Sequence, residues 1–326
     1  MDKNDRRVFV VFNPASGRGA GARRIERFLS LLEKHMPGFT HAGTTRAGEE
    51  SVLADQAIAE GFDLIVAVGG DGTWSNVADR IVASGKGNVA LGLLASGTGN
   101  DFGRNFGLSM RDPEAAVRTL ADGVVRTFDV GRVISAGTPL NAESGSTGPT
   151  TGRNFLNLVG FGFDVAVIED TAGARFLRGE LLYKVTALKN LFSYSGVPLV
   201  LESDSPTVDG EQLMLTISNA PFFGGGFLIA PGAELGDGLL DACAIGNTPA
   251  FTRWRLFNAA PKGRHVLSPH VRMRQSARFT VRFSAPPKYE VDGELWRAES
   301  SEVTVEAVPE ALQVVVPSGR HRASSD

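Results

Sequence analysis

A single cysteine, Cys243, stands in 326 residues, which excludes an internal disulfide framework and any cysteine-rich metal site. An excess of either charge is also missing: 33 Lys and Arg face 36 Asp and Glu, a formal net charge of −3. Bulk nucleic-acid binding calls for a clear basic excess and is excluded, as is a wholesale electrostatic membrane anchor. No run approaches the roughly 18 consecutive apolar residues of a membrane-spanning helix. The opening residues lead into only Val8–Phe12, too short an apolar run for a signal-peptide core, so the cytoplasm is the expected compartment. The five histidines (35, 41, 265, 270 and 321) show no metal-ligand spacing.

Glycine is abundant. Its 39 copies make up about 12% of the chain, against an average near 7%. They gather in a few short stretches, as happens where backbone approaches backbone or ligand. The length suggests two domains, each with material for its own core.

The first half alternates strands and helices. Val8–Phe12 is a short β-branched run of the kind buried on both faces, broken by Asn13-Pro-Ala-Ser-Gly-Arg-Gly-Ala-Gly21. A helix follows over 22–35, with Ile25, Phe28, Leu29 and Leu32 on one face. A helix over 49–60, a strand over 64–68 ending in Gly69-Gly-Asp-Gly-Thr73, and a helix over 75–84 come next. A strand over 89–94 then runs into Ser96-Gly-Thr-Gly-Asn-Asp-Phe102, and a helix over 113–121 starts at Pro113. Three strand, glycine-loop, helix units predict a doubly wound parallel sheet whose ligand edge carries all three loops.

The second half differs. After an exposed Gly-, Ser- and Thr-rich loop at Ser135–Gly152, closely spaced strands are expected at 155–159, 199–202, 212–218, 239–245, 279–283, 288–291, 302–306 and 313–316. Helices are expected at 181–194 and 250–259. The pattern predicts a mainly antiparallel β-sandwich or partly closed barrel. With the boundary between Phe128 and Asn154, an α/β domain is expected over 1–130 and a β-sandwich domain over 131–326. The last strand is free to pair with either. Exposed sandwich edges are compatible with a homodimer.

Three loops carry chemistry. Asn13–Gly21 offers backbone N–H groups to an anion at a helix N-terminus, although a tight strand–helix turn would read the same way. It lacks the Gly-Lys-Ser/Thr of the Walker loop and falls one residue short of the dinucleotide fingerprint. In Gly69-Gly-Asp-Gly-Thr73 an acid among glycines suits a metal–phosphate site: Asp71 can reach Mg²⁺ or its waters while the glycine N–H groups approach phosphate oxygens. Ser96–Phe102 repeats the logic, with Thr98 as hydroxyl donor and Asp101 as second carboxylate. Together the two loops predict a nucleotide–Mg²⁺ cleft.

These residues resemble a known family. Gly69-Gly-Asp-Gly-Thr73 with Asn13-Pro-x-Ser-Gly17 and Gly97-Thr-Gly-Asn-Asp101 is similar to the catalytic domain of diacylglycerol and related lipid kinases, in the bacterial branch related to sphingosine kinases. Gly224-Gly-Gly-Phe-Leu-Ile-Ala-Pro231, Asp237-Gly-Leu-Leu-Asp241 and Asp292-Gly-Glu294 continue the match to about Val316. The resemblance implies an α/β nucleotide domain and a β-sandwich domain with the active site between them. It implies ATP contacts from Asn13, Pro14, Ala15, Ser16, Gly17, Gly69, Gly70, Asp71, Gly72, Thr73, Asn76, Gly97 and Thr98, with Thr44 or Thr45 as a further contact. Thr44 has the expected spacing, four residues before Gly48. It further implies that Asp71 and Asp101 organise the catalytic Mg²⁺ through waters. Asp237, with the carbonyls of Glu234 and Leu239, would hold a structural metal, and Glu294 would be the general base. Read alone, Tyr289-Glu-Val-Asp-Gly-Glu294 is more readily a β-hairpin turn than a catalytic segment.

The implied activity is ATP- and Mg²⁺-dependent phosphorylation of a hydroxyl on diacylglycerol or a related membrane lipid, with transient peripheral membrane contact. The rivals are an NAD kinase, which shares Gly-Gly-Asp-Gly-Thr, and a non-catalytic nucleotide- or lipid-binding regulator. One departure favours the last: Ser75 and Asn76 stand where the family has Asn and Glu. Trp74 and Trp296 read as core or rim packing. Phe222–Phe227 reads as an acyl-chain entrance or as core plus turn. Arg264, Arg272, Arg274, Arg278 and Arg282 form a basic stretch that reads as a solvated strand face or as one facing anionic headgroups.

Overall fold

The computed structural model describes residues 6–14, 21–97, 99–108, 112–140, 152–172 and 189–318. Ala15, Ser16, Gly17 and Thr98 lie outside the described residues, as do most of the Ser135–Gly152 loop and of the helix expected at 181–194. The chain divides into two compact units, Met1–Val130 with Pro309–Asp326, and Gly131–Val308.

In the first unit, Val8–Phe12 (β1), Thr40–Gly43 (β2), Leu64–Gly69 (β3) and Ala90–Ala95 (β4) form a parallel sheet in the order β2-β1-β3-β4. Every residue of β3 and β4 is buried, which is why both read as unbroken apolar runs. Gln313 and Val314, near the end of the last strand, extend the sheet by pairing in parallel with Ala90 and Leu91. The helices are Gly21–His35 (α1), Glu49–Ala59 (α2), Asp71–Ala83 (α3), the short Asp101–Arg104 (α4) and Pro113–Asp122 (α5). Ile25, Phe28 and Leu32 of α1 pack on Val8, Val10, Leu64 and Val66. Asp112 caps α5 by accepting the Ala115 N–H at 2.9 Å. Register aligns the sheet ends: Phe12 pairs with Gly43 and Val68, and Gly69 with Ala95. Asn13, Thr44, Gly70 and Ser96 therefore leave the sheet along one edge.

The long strand Val124–Val133 (β5) ends in the second unit, where Gly131–Val133 pairs with Arg153–Phe155 (β7). The other elements there are Gly137–Pro139 (β6), Leu158–Gly162 (β8), Phe163–Ala172 (α6), Val197–Glu202 (β9), Val208–Ser218 (β10), Phe222–Phe223 (β11) and Phe227–Leu228 (β12). They continue with Leu240–Gly246 (β13), Ala250–Ala259 (α7), Val271–Ser276 (β14), Arg278–Arg282 (β15), Lys288–Val291 (β16), Glu294–Ala298 (β17) and the first part of Glu302–Val316 (β18). The strand path β15-β9-β10-β8-β16-β17-β6 is antiparallel, and β13 and β14 branch from β10 in the same sense. Phe155, Phe161, Leu215, Phe279, Tyr289 and Val303 centre its core.

Several elements differ from the sequence expectation. The third helix starts at Asp71 rather than Ser75, because Gly70 leaves the strand extended and the helix bonds begin with Trp74 N–H donating to Gly70 O at 3.0 Å. The strand expected at 155–159 divides into β7 and β8, with Leu156 and Asn157 between them bonding to Asp292. Gly162, at φ 105, then turns the chain straight into α6, where a Cβ would come within 2.8 Å of Leu213 O. The two final strands are one, β18. Its kink passes through Pro309 and Glu310, whose N–H donates to Asp129 Oδ1 at 2.8 Å.

Candidate active site

In the first unit the glycine loops after β3 and β4 are laced together. Ser96 N–H and Gly97 N–H both donate to Gly69 O, at 2.8 and 3.2 Å. A Cβ on Gly97 would sit 2.6 Å from the Gly70 Cα, so only two glycines allow the loops this close. Asp71, in the first turn of α3 where the helix dipole favours an anion, accepts the Phe102 N–H through Oδ1 at 3.1 Å. Its Oδ2 lies 2.8 Å from where a Gly99 Cβ would stand, and Asp101 Oδ2 lies 3.9 Å from the same point. Two carboxylates thus converge over bare backbone. Asp101 is buried and pairs with Arg104 at 3.1 Å. Asn100 holds the intervening turn at φ 53, its side chain donating to Gly97 O at 2.9 Å. An all-oxygen pair of this kind suits a hard divalent cation that keeps most of its waters. Among the described residues no three His, Cys, Asp or Glu side chains form a metal-holding group.

Asn13 and Thr44 meet on the same edge. Asn13 N–H donates to Val68 O at 3.3 Å, and Thr44 N–H to Phe12 O at 2.9 Å. Pro14 is exposed and Thr44 buried, while Thr45 is exposed and its hydroxyl donates to Glu49 at 2.9 Å. Gly72 and Thr73 lie in the first turn of α3, with Thr73 buried and folded back against Gly69.

Asn76, at the departure from the family pattern, has a partner that sequence reasoning missed. Its Nδ2 donates to Glu50 Oε1 at 3.0 Å, both residues being buried. The carboxylate absent from α3 is thereby brought in from α2, and Glu50 Oε2 has no hydrogen-bond partner among the described residues. Arg24 of α1 was also missed; it reaches Ser96 O at 3.0 Å. Neither pairing leaves a local signal, since the partners are 26 and 72 positions apart.

In the second unit Glu294 opens β17, partly exposed, with its Oε2 3.5 Å from the partly buried Arg153 guanidinium. The turn before it is fixed twice. Asp292, at φ 48, accepts the N–H groups of Leu156, Asn157 and Leu158 at 2.7, 2.8 and 3.1 Å. Glu290 Oε2 accepts the Gly293 N–H at 2.6 Å. Asp237, in the loop before β13, accepts from Leu239 N–H at 2.9 Å and Gln275 Nε2 at 3.1 Å. Burial, followed by the charges of Asp237 and Glu234, pushes the Asp241 carboxyl up to about 6.

The same unit holds an apolar pocket, partly open to solvent, lined among others by Phe163, Met214, Phe223, Phe227, Leu256 and Phe257. Asp164 is on its wall. Trp74 and Trp296 are both core residues; Trp74 Nε1 donates to Ala67 O at 3.0 Å, and Trp296 stacks on Tyr289. Among the basic stretch, Arg278 and Arg282 of β15 are paired with Glu306 and with Glu202 and Glu302.

Comparison with known proteins covers both units. Residues 7–133 match the diacylglycerol kinase catalytic domain, and 157–316 the YegS C-terminal NAD kinase beta sandwich-like domain. The YegS-like lipid kinase of Pseudomonas aeruginosa is 31% identical over 98% of this chain and 96% of its own. The diacylglycerol kinase of Mycobacterium tuberculosis is 29% identical over 95% of both chains, and that of Bacillus subtilis 28% identical over 89% and 90%. A crystal structure of a diacylglycerol kinase from Bacillus anthracis has the same fold, with a TM-score of 0.68 at 16% identity over 95% of this chain and 97% of that one.

Proposed function

The chain belongs to the diacylglycerol kinase catalytic-domain family and is a lipid kinase with ATP as co-substrate, and on that premise we propose a division of labour among its residues. The γ-phosphoryl group of ATP passes to a hydroxyl of diacylglycerol or a related membrane lipid. The glycine N–H groups of Gly69–Thr73 and Gly97, with Asn13 and Thr44, cradle the nucleotide; Asn76 orients it through Glu50. Asp71 and Asp101 would organise a Mg²⁺ through its waters, and that ion would supply charge neutralisation for the transferring phosphoryl group. Glu294 accepts the proton of the lipid hydroxyl as its oxygen bonds to phosphorus, and the bond from phosphorus to the leaving ADP oxygen breaks. The apolar pocket takes an acyl chain.

The observation that carries this reading is the convergence of Asp71 and Asp101 over Gly99, between loops too close for any side chain. Phosphoryl transfer is largely positioning and charge neutralisation, which backbone and two carboxylates supply. The test is transfer of label from ATP to a mixed-lipid extract in detergent micelles with Mg²⁺, beside Asp71→Ala. Label in the organic phase that the variant abolishes is the expected result. Label on NAD instead, or activity retained in Asp71→Ala, would overturn it.

A further inference from the structure

From Ala242 to Tyr289 the sequence holds nine Lys and Arg and no Asp or Glu, in a chain whose net charge is −3. Helix α7 lies in this segment and has two faces. Arg253, Leu256 and Phe257 turn inward and line the apolar pocket. Phe251, Trp254, Arg255 and Asn258 follow the same helical spacing on the outside, and all four are exposed.

That outer face is unusual for a protein surface. Phe251 is 66% exposed and Trp254 45%, and their rings stack at 5.9 Å. In the short helical turns Ala260–Lys262 and Arg264–Leu267, which pack against α7, Leu267 is 82% exposed. Lys262 and Arg264 are exposed between these apolar groups. Of the other cations of the segment, Arg278, Arg282 and Lys288 form ion pairs, Arg253 binds backbone carbonyls, Arg274 reaches Pro206 O, and Arg272 is exposed on β14. Arg255, Lys262 and Arg264 make no ion pair with a described residue.

We propose that the outer face of α7 and the two turns after it dock the protein on an anionic lipid bilayer, with Phe251, Trp254 and Leu267 entering the interface and Arg255, Lys262 and Arg264 meeting the headgroups. Aromatic and aliphatic side chains on one face, ringed by cations, are what an interfacial helix presents to lipid. A protein partner would need acids to match the cations, whereas an anionic bilayer meets both features at once. The inference rests on the lipid-kinase reading in one respect: it puts the surface holding the substrate against the helix whose inner face lines the proposed acyl pocket.

Trp254 reports on the docking directly, because Trp74 and Trp296 are buried. The full chain, without ATP, is mixed with phosphatidylcholine vesicles containing or lacking phosphatidylglycerol, and binding is followed by flotation and tryptophan emission. The expected result is binding to the anionic vesicles with a blue shift that Trp254→Phe removes. Phe251→Ser with Trp254→Ser weakens binding by about tenfold or more, and Arg255→Glu with Arg264→Glu by about fivefold or more. Circular dichroism of both variants should match the parent, and activity on micellar lipid should persist. Absence of parental binding, equal binding by both folded variants, or a concentration-dependent dimer dissolved by the Phe251 and Trp254 changes would each overturn the proposal. Binding without phosphate transfer would leave docking standing and sink the kinase assignment; transfer to micellar lipid without vesicle binding would do the reverse.

Discussion

Asp164 and Glu290 turn carboxyl oxygens that have no hydrogen-bond partner among the described residues toward one spot above the Gly160 Cα, where a Cβ would overlap Asp164 Oδ2 and come within 2.9 Å of Glu290 Oε1. Two ionised acceptors cannot share such a place without a proton between them. Burial pushes Asp164 up to about 7, and burial followed by the Asp164 charge raises Glu290. The neighbouring groups do not relieve them: Asp292 is bound by three backbone N–H groups, Lys288 pairs with Glu169, Arg153 pairs with Glu294, and Tyr194 is itself raised by burial and by Asp164.

A raised folded-state pKa means the native protein holds the proton more tightly than the unfolded chain. The contribution of this pair is therefore complete below about pH 4 and is lost as pH rises through about 7. Urea unfolding between those pH values should show stability falling by on the order of 2–4 kcal/mol. Asp164→Asn, neutral at every pH, should flatten that slope. An unchanged slope in the variant would show that the pair holds no proton.

Asp71 carries a structural and a chemical duty that one substitution separates. Asp71→Asn keeps an oxygen for the Phe102 N–H, so its melting temperature should stay near the parent's, while kcat falls by about 10²–10³-fold. Asp71→Ala loses both and should also destabilise by about 1–2 kcal/mol. Thermal melts beside the labelled-ATP assay distinguish the two variants, and near-parental activity in Asp71→Asn would remove this residue from the site.

The glycine loops make opposite demands at neighbouring positions. A methyl on Gly97 meets the Gly70 backbone at 2.6 Å, which cannot yield, so Gly97→Ala should destabilise by about 1–3 kcal/mol. A methyl on Gly99 meets the Asp71 carboxylate at 2.8 Å, which can swing aside, and stands at ordinary contact distance, 3.9 Å, from Asp101 Oδ2. Gly99→Ala should cost less stability and more activity. Equal losses of stability would mean that the second loop has no freedom to move Asp71.

What the sequence made legible follows from how local each signal is. β3 and β4 are buried on both faces, so their apolar runs are unbroken, and α1 buries Ile25, Phe28 and Leu32 at plain helical spacing. β2 escaped notice because Thr-His-Ala-Gly lies at the sheet edge, half exposed, with no apolar run to mark it. α6 has no counterpart among the expected elements, its start hidden in a glycine turn at φ 105. Asp71 and Asp101 stood out because each lies among glycines in one short window. Glu50 against Asn76, and Asp164 against Glu290, are pairings across the fold that no window of sequence contains. Asp292 looked like an ordinary turn residue, because what distinguishes it is three N–H donors from a loop about 135 positions earlier.

Those three bonds give the Glu294 turn its own test. Asp292 is buried, and removing its carboxyl leaves three backbone N–H groups without their acceptor, so Asp292→Ala should destabilise by about 2–4 kcal/mol. Glu294 is partly exposed, and glutamine keeps its shape and an oxygen toward the Arg153 guanidinium, so Glu294→Gln should leave the melting temperature nearly unchanged. If Glu294 takes the lipid proton, that isosteric change lowers kcat by about 10²-fold or more at an unchanged KM for ATP. Asp292→Asn separates position from charge: its one amide oxygen can hold some of the N–H groups, so part of the stability and of the activity should return relative to Asp292→Ala. A Glu294→Gln enzyme with parental kcat would show that some other group accepts the proton, and that the turn is built only for the strand it starts.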